Sequence, residues 1–89
     1  MGDRPIRKEG VSIYPLGKEW FLHDKNNGNV HVINGTARFI WKLCDGCNTL
    51  EEIESAIKVS YEIRPDGDLA NIIKDILHQF WQLGLLATR

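Results

Sequence analysis

Eighty-nine residues give one small domain with a single modest core, too little material for a deep catalytic pocket with its own supporting shell. The formal charge is −1, from 11 Lys plus Arg against 12 Asp plus Glu, and the basic residues are scattered, so no phosphate-binding tract is visible. No segment approaches the roughly 20 apolar residues of a membrane span, and 2 cysteines are too few for a secreted disulfide scaffold, so a soluble, cytoplasmic chain with reduced thiols is expected.

Residues 1–10 are polar, aperiodic and carry Pro5 and Gly10, which reads as a flexible N-terminal arm ahead of a domain over 11–89. From Val11 three short runs rich in β-branched and aromatic residues follow: V-S-I-Y, then E-W-F-L-H, then N-V-H-V-I-N. The turns P-L-G-K and D-K-N-N-G separate them, and Asn27-Gly28 suits a tight hairpin with positive φ at both central positions. The expectation is a three-stranded antiparallel meander.

Beyond Asn34 the apolar period changes from two to about 3.6. In T-A-R-F-I-W-K-L-C it places Ala37, Ile40, Trp41 and Cys44 on one stripe. T-L-E-E from Thr49 matches a capping box, with Glu52 reaching back to the threonine amide and Leu50, Ile53, Ala56 and Ile57 facing inward. After the breaker-rich Y-E-I-R-P-D-G, Asp68 is positioned to cap a third helix that ends at Gly84. The fold class predicted is α+β: an N-terminal β-meander followed by three helices, in a winged-helix-like arrangement.

L-C-D-G-C-N-T-L-E-E, residues 43–52, holds both cysteines at a spacing shared by zinc and dithiol sites. A structural zinc needs four ligands, and His23, His31 and His78 are scattered. Cys44 also closes a helix, where the dipole disfavours a thiolate. The stretch reads as a helix stop followed by a helix start, with no metal, no cofactor and no catalytic residues assigned. A winged-helix DNA-binding domain is the alternative function. Against it, the helix in the recognition position, L-A-N-I-I-K-D-I-L-H-Q-F-W-Q-L, has one lysine, no arginine and one aspartate, which leaves few contacts for phosphates or base edges.

Two features point elsewhere. The last strand, residues 29–34, has no lysine, proline or bulge signal to blunt its free edge, whereas Pro15, Lys8, Glu9 and Lys18 guard the first. An open β-branched edge is what strand addition by an extended peptide requires. It also leaves self-pairing or domain swapping into a homodimer open. On the third helix, Leu69, Ile73, Ile76, Phe80 and Leu83 form an ordinary core stripe, and Ala70, Leu77 and Trp81 widen it.

N-G-T-A-R-F-I-W-K-L-C-D-G (34–46), T-L-E-E-I (49–53) and G-L-L (84–86) together resemble the PqqD family, also called RiPP recognition elements, over about residues 11–86. The resemblance implies a non-catalytic peptide chaperone. Members hold the leader segment of a ribosomally made precursor peptide against the third strand, with the third helix as the other wall. They present it to a modifying enzyme, often of the radical SAM type, as in pyrroloquinoline quinone biosynthesis, or to a leader peptidase. Carried onto this chain, the peptide-binding residues are Asn29, Val30, His31, Val32 and Ile33 on the strand, with Ala70, Ile73, Lys74, Leu77 and Trp81 on the helix. Cys47 and Ile72 depart from the family pattern, the latter standing where a polar residue is expected.

Overall fold

The computed structural model describes residues 4–61 and 69–87. Three strands, β1 (Val11–Leu16), β2 (Glu19–Asp24) and β3 (Val30–Ile33), are followed by α1 (Gly35–Leu43), α2 (Leu50–Tyr61) and α3 (Leu69–Gln82). The fold is α+β, with one antiparallel sheet in the order β1-β2-β3. Pro15, which has no amide to donate, lies on the outer strand β1, where a ladder bond is least needed.

The β1–β2 turn is tight, because Leu16 pairs directly with Glu19 and Gly17 supplies a φ of +62°. The β2–β3 connection is longer than the two-residue turn expected at Asn27-Gly28. Asp24 donates its amide to Asn29 O at 2.9 Å, leaving Lys25 to Gly28 as the loop. The buried Asp24 carboxylate causes this. It accepts from Asn26 N and Nδ2, both at 2.9 Å, and meets Lys8 Nζ at 3.3 Å, so the chain wraps around it before turning back.

The helices begin where their caps dictate. Asn34 Oδ1 accepts from Ala37 N at 2.8 Å, and the capping box of α2 is formed in both directions, Thr49 N to Glu52 Oε1 and Glu52 N to Thr49 Oγ1. These bonds hold the Glu52 carboxyl below the usual glutamate range. The expected Asp68 cap of α3 lies outside the described residues. At the other end of α3, Leu85 N bonds Phe80 O and Gly84 N bonds Trp81 O, a Schellman motif made possible by the positive φ of Gly84. It turns Leu85 and Leu86 back into the core.

That core lies between the sheet and the helices. Leu22 of β2 shares one cluster with Ile40 and Trp41 of α1 and its C-cap Cys44, Ile53 and Ile57 of α2, and Ile73, Leu77 and Phe80 of α3. Trp41 and Phe80 pack edge to face, 5.4 Å between centroids. The arm expected to be flexible is tied down from Pro5 to Lys8. Arg7 N bonds Cys44 O, Gly46 N bonds Pro5 O, Lys8 N bonds Leu85 O, and Ala87 N bonds Ile6 O. The reason is long-range: the α1–α2 corner and the post-α3 tail each offer free backbone groups, and the arm bridges them.

Candidate functional site

The Asp24–Asn29 bond sets which backbone groups of β3 are spoken for. Antiparallel pairs alternate between bonded and non-bonded. With Asp24 bonded to Asn29, the register His23↔Val30, Leu22↔His31, Phe21↔Val32 and Trp20↔Ile33 turns His31 and Ile33 amides toward β2. Lys25 N donating to Gly10 O gives the same phase from the other side of β2. The N–H and C=O of Val30 and Val32 therefore point away from the sheet. Among the described residues no strand pairs with this edge.

The side chains alternate in step. Val30 and Val32 are exposed on the outer face, while His31 and Ile33 are half-buried on the inner face, toward the helices. There they help to line a groove of about 200 Å³ whose other walls are Asn34 and Ala37 at the start of α1 and Ile76, Gln79, Phe80 and Leu83 of α3. His31 Nε2 is buried and has no hydrogen-bond partner. An unpartnered polar atom in a mostly apolar groove favours a guest that brings its own polar group.

The helix residues expected to form the peptide wall lie in different surroundings. Ile73 and Leu77 have no exposed surface and belong to the core. At about 100° per residue, Ala70, Lys74 and Trp81 lie on one flank of that buried stripe, and Ile72, Ile76, Gln79 and Leu83 lie on the other, which is the flank beside β3. Ile72 is thus an exposed apolar residue on the groove side, and Lys74 and Trp81 face away from it. The period shows how wide an apolar stripe is, but not toward which margin the sheet lies. Gln79 and Leu83, which sequence reasoning leaves out of the wall, have a signal in their i, i+4 spacing, and Ile72 and Ile76 share that row.

The two cysteines differ in surroundings. Cys44 is buried, its thiol donates to Ile40 O at 3.2 Å, and burial pushes its pKa up to about 12. Cys47 is exposed, its amide bonded to Asp45 Oδ1 at 2.9 Å. No three His, Cys, Asp or Glu groups cluster to hold a metal among the described residues. None of the described helices is long and apolar enough to cross a membrane.

A three-stranded antiparallel sheet backed by three helices, with a free strand edge beside an apolar groove, defines a small binding-module architecture. The family model described as Coenzyme PQQ synthesis protein D (PqqD) matches residues 19–86, and the chain belongs to that family. No curated protein matches it. Among solved structures it is similar in fold to TbiB1 in complex with the TbiA(beta) leader peptide (20% identity, TM-score 0.76, covering 94% of this chain and 96% of that one). It is likewise similar to lasso peptide synthetase B1 complexed with the leader peptide (15% identity, TM-score 0.77, covering 96% and 99%).

Proposed function

We propose that this protein binds the leader segment of a ribosomally synthesised precursor peptide by strand addition along β3 and presents it to a modifying enzyme, without catalysis of its own. The observation that carries this reading is the pairing of an open edge, with the backbone groups of Val30 and Val32 turned outward, with an apolar groove along α3. The edge supplies sequence-independent hydrogen bonds, and alternate peptide side chains enter the groove and supply preference. Membership of the PqqD family and a fold shared with two leader-bound proteins support the same reading.

The contact set in this proposal is Asn29 to Ile33, with Ile72, Ile76, Gln79, Phe80 and Leu83 as the helix wall. His31 Nε2 gives the groove one polar contact for a guest side chain. The partner enzyme is of the radical SAM type, as in pyrroloquinoline quinone assembly, or a leader peptidase, and the site of action is the cytoplasm, where precursors are made. An unliganded edge of this kind is also open to a second copy of the chain. The test is a search of the reading frames adjacent to its gene for a short precursor peptide, followed by titration of the isotopically labelled protein with the leader segment of any precursor found there. Amide shifts clustering in residues 29–33 and 72–83 are expected. Saturable binding that leaves β3 unmoved rejects strand addition.

A further inference from the structure

A second cleft, of about 350 Å³, shares no lining residue with the groove beside β3 and is lined by Arg7, Val11, Ile13, Arg38, Trp41 and Lys42. Three of its six lining residues are cations and none is an acid, in a chain whose net charge is −1. Among the described residues the salt bridges are Lys8–Asp24 and Lys58–Glu54, so Arg7, Arg38 and Lys42 stand without a carboxylate partner. Three cations lining one cleft with no carboxylate of their own give it a positive potential that an anionic ligand would complement.

Two of the cations are held in place. Arg7 Nη1 donates to Trp41 O at 3.1 Å and Lys42 O at 2.7 Å, at the negative end of α1, and the Arg38 guanidinium lies 4.4 Å over the Trp20 ring. Each leaves N–H donors free, because a guanidinium has five. The floor between them, Val11, Ile13 and Trp41, is apolar. Fixed guanidinium forks suit carboxylates, and an apolar floor suits a ligand with an aliphatic or aromatic residue between its acids. Phosphate esters would use the cations and leave the floor unfilled.

We infer that this cleft docks an acidic, partly apolar segment of a partner protein, separately from the peptide on β3. The β1 and β3 edges are two strand spacings apart, about 10 Å, and the two clefts are lined by opposite edge strands, so both are open to occupation at once. The charge and shape of this cleft are independent of what binds the groove.

The probe is a blocked hexapeptide, Asp-Glu-Leu-Phe-Glu-Asp, titrated into the labelled full chain at low salt. Its counterpart with lysine for each acid, inorganic phosphate, a short DNA duplex and phosphatidylglycerol vesicles are titrated in parallel. Shifts are expected at Val11, Ile13, Arg38 and Lys42 and at the Trp41 indole, with Val30 to Ile33 unmoved. The R38Q/K42Q variant should bind about tenfold more weakly or worse, through loss of two charge-assisted contacts. Because Arg38 also packs on Trp20, K42E alone, at an exposed position, repeats the measurement with the stack intact. Equal affinity for the lysine peptide, binding of DNA, phosphate or vesicles as tight as that of the acidic peptide, unchanged affinity in both variants, or shifts confined to β3 would each overturn it.

Discussion

Asp24 donates its backbone amide to Asn29 O at 2.9 Å, and that one bond sets the phase of the free edge that follows. Because bonded pairs alternate along an antiparallel ladder, Val32 turns its amide out and His31 turns its amide in. Val32→Pro should therefore fold, since proline is tolerated where an edge amide faces solvent. It should weaken a leader peptide by about tenfold to a hundredfold, the cost of a lost hydrogen bond and an unpaired peptide carbonyl. His31→Pro strikes an amide turned toward β2 and should lower the melting temperature instead. Calorimetric titration beside thermal unfolding separates the two. Unchanged affinity in a folded Val32→Pro protein would exclude β3 as the docking strand.

The two flanks of α3 make a second test. Leu83 is 44% exposed and lines the groove, whereas Trp81 is 38% exposed and does not. Leu83→Asp places a carboxylate where an apolar guest should sit and should cut peptide affinity by at least about tenfold, since burying an unpaired charge is costly. Trp81→Ala and Lys74→Ala, on the opposite flank, should bind peptide as the wild type does. The reverse pattern would move the binding wall to the other margin of the helix.

Much of this arrangement is legible in the order of residues alone. The strands follow from alternation and turn residues, and α2 starts at the capping box visible in T-L-E-E, whereas the Asn34 cap of α1 emerges only in the structure. The stripe Ala37, Ile40, Trp41, Cys44 is buried throughout. What is not legible is long-range. Nothing local says that Arg7 reaches the end of α1 or that Ile6 pairs with Asp45, because those partners are more than thirty positions apart. Nor does a period of 3.6 say on which side of α3 the sheet edge lies. Periodicity therefore treats both margins of the stripe alike, whereas Ile76 and Leu83 are on the margin that lines the groove beside β3.

The Asp24 carboxylate makes stability pH-dependent with a definite sign. Asn26 donating from its backbone amide is the main cause of a lowered pKa. Burial opposes it, and the Asn26 side chain and Lys8 add to it. A carboxyl whose folded pKa lies below its unfolded value contributes stability above the unfolded pKa, near 3.9, and loses it as pH falls through the folded one. Urea midpoints should therefore hold between about pH 5 and 7 and drop below about pH 4. Asp24→Asn should flatten that part of the profile while lowering stability at neutral pH, since the amide cannot replace the charge facing Lys8. The hairpin leading into β3 is built on this residue, so peptide affinity should weaken with it. An acid profile identical in the variant would show that other carboxylates control it.

The two cysteines should separate cleanly by reactivity. Cys44 has no exposed surface, donates its thiol to Ile40 O and has a pKa pushed up to about 12, whereas Cys47 is exposed in the loop between α1 and α2. Since the thiolate is the reacting species, a disulfide reagent at about pH 8 should modify Cys47 alone in the folded protein and both residues in denaturant. Cys47→Ser should abolish the native reaction without changing stability or peptide binding. Cys44→Ser places a hydroxyl in an apolar site and removes a well-packed sulfur, and should cost about 1–3 kcal/mol in urea unfolding. If Cys44 labels in the native state as fast as Cys47, the α1–α2 corner opens far more readily than its bonds to Arg7 and Pro5 imply.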